Sequence, residues 1–237
     1  MTTQAVGYFK RVVAVSAIVF SAGSQVGRAQ IDIASLTSAQ AGDGLKEALS
    51  RGISTAVSST GKPGGYFDDA TIKILMPPSL QKVEKGLRSV GQGPRVDEFV
   101  KSMNSAAEEA APAAKAIFME ALRSMTIEDA KGIVTGGNTA GTEYFKRTTS
   151  SKVADAFKPT IDKSMDKIGV TAQFKELMGN APAIPFMKTP SVDINAYVLE
   201  KAVGGLFVVM GQEETKIRTN PSAQVTPLLK KVFGGRL

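Results

Sequence analysis

Apolar residues recur at helical spacing in nearly every stretch between the glycine and proline breaks of the chain. From Asp43 to Ser59, Leu45, Leu49, Ile53, Ala56 and Val57 share one face. Residues 30–40 before it read as loose and polar. Gly61-Lys62-Pro63-Gly64-Gly65 ends the pattern. Thr71 to Met76 alternates as a strand does, but no second strand is there to pair with it. It is expected as an extended segment laid on helices. Pro78 opens a helix to about Val90. Val96, Phe99, Val100, Met103, Ala107 and Ala110 form the next stripe, and Pro112 separates it from one built on Ile117, Phe118, Ala121, Leu122 and Met125. Thr126 caps a short helix that Gly136-Gly137 stops. Asn138 or Thr139 caps a further helix presenting Tyr144 and Phe145. Val153, Phe157, Ile161, Met165 and Ile168 follow, with Pro159 expected to kink or divide that run. Gly169 ends it, Thr171 starts another helix, and 180–190 is a proline-stiffened loop.

One stretch organises the rest. From Asp193 to Arg218, Ile194, Tyr197, Val198, Ala202, Gly205 and Val209 line one helical face, and Leu199, Val203, Leu206 and Met210 line the next. Asp193 is its N-cap. No residue from Ala202 to Met210 is charged, so this part reads as apolar nearly all round and buried in the core. The uncharged run is shorter than the roughly 20 residues a bilayer needs. Gly204-Gly205 in its middle implies close approach of a neighbouring helix, or else a kink or slot. Asn220-Pro221 ends its extension, and Thr226-Pro227 starts a last helix with Leu228, Leu229, Val232 and Phe233 apolar.

The start of the chain changes the setting. Lys10 and Arg11 precede an apolar run from Val12 to Phe20, and Gly27-Arg28-Ala29 offers small residues for cleavage. This is the pattern of a secretory signal, residues 1–29, with cleavage expected after Ala29 and a bacterial periplasmic or secreted destination, and the apolar run is short for the alternative, an uncleaved membrane anchor. Residues 30–237 then form a single helical domain with its core between about 43 and 234. The chain has no cysteine, so no disulfide framework supports it. The net charge of +7 includes Lys10, Arg11 and Arg28 of the leader, which leaves only a mild surplus. No nucleic-acid partner is expected. The basic residues Lys216, Arg218, Lys230, Lys231 and Arg236, with no acid after Glu214, form a tail that suits an anionic surface or a solvated helix end.

Several phrases occur together in order. They are Gly44-Leu45-Lys46-Glu47-Ala48-Leu49, Met103-Asn104, Ala110-Ala111-Pro112, Met125-Thr126 with Asp129-Ala130, Thr142-Glu143-Tyr144-Phe145 and Phe157-Lys158-Pro159. Gly205-Leu206-Phe207, Glu213-Glu214, Ile217-Arg218 and Asn220-Pro221 complete the set. This chain resembles the bacterial family of domain of unknown function 4197 from Gly44 to Gly234. The resemblance implies an exported, mainly helical protein. It brings no reaction, ligand or catalytic residue.

Composition narrows the chemistry. With neither histidine nor cysteine, zinc, haem and iron–sulfur sites lose their usual ligands, and no metal or cofactor is expected. Ser–His and Cys–His nucleophiles are excluded. Without tryptophan, stacking of sugars or bases is a weak option. Asp68-Asp69 and Asp162 with Asp166 lack the alternation of a calcium loop. Thr135 to Thr142 resembles a phosphate loop in the spacing of Gly136 and Gly141, but Thr142 stands where the lysine should be. A helix N-terminus at Asn138 and Thr139 still favours an anion, from a ligand or from a simple cap. Glu143, Glu214 and Arg218 are the charges nearest strongly apolar faces. Glu214 and Arg218 can pair at i, i+4. Glu143, beside Tyr144 and Phe145, is expected to meet Arg218 in a buried polar cluster.

The fold expected is all-α, a single-domain bundle of about ten helices around the apolar helix at 193–218. Asn138, Thr139, Glu143, Glu214 and Arg218 are the ligand-binding candidates, and no catalytic residue is assigned. The leading function is a non-enzymatic envelope module that binds a partner protein or a small ligand. A carboxylate-based hydrolase of envelope material and a binder of anionic membrane surfaces are the alternatives.

Overall fold

The computed structural model describes residues 38–167 and 192–234, with positions 169, 172, 175, 176, 178 and 179 between them. The leader expected at residues 1–29, the loop expected at 180–190 and Arg236 lie outside the described residues, as does most of the helix expected from Thr171. The described chain is all-α, with no strand. Its eight α-helices are α1 Ser38–Thr60, α2 Gln81–Ser89, α3 Gly93–Ala110, α4 Ala114–Arg123, α5 Ile127–Thr135, α6 Ala140–Lys167, α7 Ile194–Thr219 and α8 Pro227–Phe233. Single 3-10 turns sit at Pro78–Leu80, Ala111–Ala113 and Pro221–Ala223.

Three of the caps read from the sequence are present as side-chain caps. Asp193 accepts from the Ala196 amide at 3.0 Å, and Thr226 accepts from the Leu229 amide at 3.2 Å. Thr126 and Asp129 bond reciprocally as a capping box. Pro112 divides α3 from α4 as expected. Pro159 does not divide its helix. α6 runs unbroken through it, so two expected helices are one. Pro159 and Asp155, four residues back, are both exposed, so the carbonyl that loses its partner faces water. This fusion removes one of the ten or so expected helices, and the one expected from Thr171 lies mostly outside the described residues, which leaves eight among them. The start of α1 at Ser38 also takes in positions expected to be loose.

α7 lies in the middle, against α1, α3 and α6. By length and composition it could cross a membrane, yet half of its most apolar window is buried inside the protein. Phe118 on α4 meets Phe145 on α6 and Phe207 on α7 edge to face, at centroid separations of 5.8 and 5.6 Å. Such pairs add about 0.5–1.5 kcal/mol each beyond area burial. The helix is not enclosed on every side, however. Gly204, Val208 and Gln212 form an exposed line along it, with Val208 45% exposed. An uncharged run is compatible with burial but does not require it. Here the fourth side of α7 has no covering helix among the described residues.

Residues 61–76 pack across α7 and α3 without regular structure. The buried Glu108 carboxylate accepts from the amides of Gly64, Tyr66 and Phe67 at 3.0–3.2 Å. The Tyr66 hydroxyl donates to the Ala202 carbonyl of α7 at 2.6 Å. A Cβ on Gly205 would lie 2.7 Å from the Tyr66 ring, so the close approach at this glycine is made by the loop, not by a helix. A Cβ on Gly204 would meet nothing within 4 Å. Farther on, Ile72, Ile74 and Met76 are buried and Leu75 is exposed, the alternation expected of an extended segment. Asn104 stands in for a neighbouring strand. It accepts from the Ile74 amide and donates to the Ile74 carbonyl, both at 2.8 Å.

Candidate functional site

Two features share the junction of α5, α6 and α7: a closed ionic cluster and an open groove. The cluster begins with the helical period of α7. Glu214 lies four residues beyond Met210, and Arg218 four beyond Glu214, on the side that faces the core. Glu214 is 6% and Arg218 2% exposed. Glu214 Oε1 accepts from the Gly141 amide at 2.9 Å and from Arg218 Nε at 2.9 Å. Its Oε2 accepts from the Thr142 amide and the Thr142 hydroxyl, both at 2.7 Å. Arg218 Nη2 donates to the Ile133 carbonyl at 3.0 Å.

This places an anion at the N-terminus of α6 and a cation at the C-terminus of α5, the arrangement both helix dipoles favour. The anion seat read from Gly136 to Thr142 exists, and the protein fills it with its own carboxylate. A Cβ on Gly141 would come 3.0 Å from Glu214 Oε1 and 2.5 Å from Leu49 Cδ2, so glycine is needed for that approach. Arg218 also faces Phe233 of α8, with its guanidinium carbon 5.2 Å from the ring centroid. Beside it, between α1, α7 and α8, is a cavity of about 10 Å³, too small for anything larger than one water molecule.

The expected meeting of Glu143 with Arg218 does not occur. Glu143 is exposed, and the buried carboxylate is Glu214. The period of α6 turns Gly141, Thr142, Tyr144, Phe145 and Thr149 inward and leaves Glu143 on the outer side. Arg218 is likewise withdrawn from the basic tail, because burial and its bonds to Glu214 and Ile133 keep it from any surface. Lys216 and Lys230 are exposed, Lys216 in contact with Glu213 at 3.0 Å, while the Lys231 side chain lies outside the described residues. Asn138 and Thr139 are exposed at the mouth of α6. The Thr139 carbonyl accepts from the Glu143 amide at 2.9 Å and so caps the helix by its backbone, while the Asn138 carbonyl accepts from the Thr215 hydroxyl at 3.5 Å.

The groove runs between α6 and α7 and encloses about 610 Å³, within the range typical of small-molecule sites. Gly204, Phe207, Val208 and Gly211 give it an apolar floor. Thr139, Glu143 and Lys146 line it from α6, and Gln212, Thr215, Lys216 and Thr219 from α7. The structure thus brings Thr139 and Glu143 to the groove and holds Glu214 and Arg218 behind its wall, at Thr142. Sequence reasoning missed Val208, Lys146 and Gln212. The signal for Val208 and Gln212 is the spacing 204, 208, 212 on α7, which reads as an outer face only once the inner one is known, and Lys146 lies one turn beyond Glu143 on α6.

A model of the family described as "Protein of unknown function (DUF4197)" matches residues 35–234. No curated protein and no solved structure matches the chain. The match spans most of the sequence, including both the Glu214–Arg218 cluster and the groove beside it, and the chain belongs to this family.

Proposed function

We propose that this protein is an exported, non-enzymatic binding module and that the α6–α7 groove is its binding surface. The observation that carries the reading is the groove itself, a hollow of about 610 Å³ whose floor is Gly204, Phe207, Val208 and Gly211. A concave, mainly apolar floor rimmed by a few polar side chains is what binding sites share. The chemistry of the cluster supports binding over hydrolysis. Glu214, behind the groove wall, accepts four hydrogen bonds from protein donors, and Glu143 is the one carboxylate among the described residues that lines the groove, so no pair of carboxylates faces it. The leader pattern at residues 1–29 supports export.

A photo-reactive side chain at Gln212, on the rim of the groove, tests the reading in cells that express the full chain. Adducts should form from position 212 and not from the exposed Glu120 on α4. An equal yield from both positions, or none from either, would overturn it.

A further inference from the structure

We infer that the hollow between α2, α3 and the extended segment at 71–76 is a second binding site, for a phosphate monoester carried on an apolar body. The hollow encloses about 400 Å³, within the range of small-molecule sites. It has no lining residue in common with the α6–α7 groove.

Two sequence periods build its walls. Lys73 and Leu75 alternate with the buried Ile72, Ile74 and Met76, so both side chains leave the segment on its outer face, where the hollow is. Gln81, Glu84, Lys85 and Arg88 recur at helical spacing and turn one face of α2 toward it. Asp97 lines it from α3.

The first observation that sets its chemistry is the state of its acids. Arg88 Nε meets Glu84 at 3.0 Å and Arg88 Nη2 meets Asp97 at 2.7 Å. Both carboxylates of the hollow are thus engaged by one guanidinium, which ties α2 to α3. The charge left facing the space is that of Lys73 and Lys85. An exposed lysine without a carboxylate is ordinary. Two that line one hollow, whose own acids are already engaged, give that hollow a positive field.

The second observation is how Lys73 is held. It is half-buried, its ammonium lies 3.6 Å from the centroid of the Phe67 ring, and its backbone amide donates to the Asp69 carbonyl at 2.8 Å. A ring on one side positions a cation without neutralising it. The charge and the N–H donors stay available to an anion on the other side. The guanidinium fork that would favour a planar carboxylate is taken. Ammonium groups act as point charges and suit a phosphate, which is nearly doubly charged at neutral pH. Leu75, 59% exposed, gives the hollow an apolar side next to these cations, and the body of the ligand covers it.

Calorimetric titration of protein from cells expressing the full chain provides the test, with phenyl phosphate as the probe. Binding should saturate. Lys73→Met and Lys85→Met should each weaken it by about tenfold or more, the worth of a charge-assisted hydrogen bond. Lys82→Met, on α2 but outside the hollow, should leave it unchanged. Leu75→Asn should weaken phenyl phosphate and leave inorganic phosphate as it was. Co-sedimentation with phosphatidylcholine vesicles, with and without phosphatidic acid, separates a lipid headgroup from a free molecule. Binding in either arm that both lysine variants weaken supports the site and assigns its source. No binding in either arm, or binding that neither lysine variant weakens, overturns it. Binding weakened by Gln212→Ala and not by the lysine variants would place the phosphate in the α6–α7 groove, which overturns this site and leaves the groove as a binding surface.

Discussion

Glu214 of α7 accepts hydrogen bonds from the Thr142 amide and hydroxyl at 2.7 Å, so one helix supplies the N-terminal anion of another. The same carboxylate holds Arg218, which reaches the end of α5. Three helices are thereby tied at one buried point, and the groove wall at Thr142 is fixed by it. Removing one member of such a pair costs roughly 3–5 kcal/mol, whereas replacing both can be nearly neutral. Glu214→Leu should fall in that range, because Arg218 and the Gly141 and Thr142 amides all lose their acceptor. Arg218→Met should cost less, since Glu214 keeps its three α6 donors. The double variant should lose less than the two single losses combined, as read by urea unfolding. Strict additivity would mean that the pair is not coupled.

Gly204 and Gly205 are neighbours with opposite surroundings, and alanine separates them. At Gly205 the new methyl would press on the Tyr66 ring and on Ile72, at 2.7 and 3.2 Å. Overpacking of this kind costs about 1–3 kcal/mol. At Gly204 there is open space, so Gly204→Ala should raise stability by about 1 kcal/mol through helix propensity. Thermal melts of the two variants should move in opposite directions.

Asn104 holds the extended segment by bonding both backbone groups of Ile74 and the Val100 carbonyl. Asn104→Ala leaves the Ile74 amide and carbonyl buried without a partner, at about 1–3 kcal/mol for each unsatisfied group. Denaturant unfolding should show a loss of that order. Hydrogen exchange of the Ile74 amide should speed up by more than exchange at α7.

Tyr66 sets a pH limit. Burial, and after it the charge of Glu108, pushes the phenol well above its ordinary value of 10.0. The folded protein therefore keeps a proton that the unfolded chain sheds above that value. The stabilisation is complete below the ordinary value and is lost as pH climbs toward the raised one. Tyr66→Phe should be less stable than the wild type at neutral pH, because the bond to Ala202 is gone, but should lose less on going from pH 9 to pH 11. A parallel decline in both proteins would contradict this.

Much of the bundle was legible in the sequence because its signals are local. Asp193, Thr126 and Thr226 cap the helices they precede, and the inner faces of α1, α3 and α6 follow from spacing alone. Glu214 was legible as well, since it continues the line from Leu206 and Met210, whereas Glu143 falls off the line of Phe145 and Thr149. The choice of Glu143 rested on its apolar neighbours, and neighbours in sequence point to different sides of a helix. Pro159 misled because its cost depends on whether the freed carbonyl faces water, which is a tertiary fact. The groove left no local mark. Ala202 to Met210 has the same composition whether its fourth side is covered or open, and only the placement of α1, α3 and α6 decides between them.

The absence of cysteine from the chain makes a single introduced thiol a clean probe of the groove. Val208→Cys should be alkylated rapidly in dilute purified protein, and Ile217→Cys, buried behind α1, slowly. In cells that express the full chain the thiol at 208 should be protected by about tenfold or more, as expected when a partner covers an exposed apolar site. Equal rates at position 208 in dilute protein and in those cells would contradict the claim that the α6–α7 groove is where this protein binds.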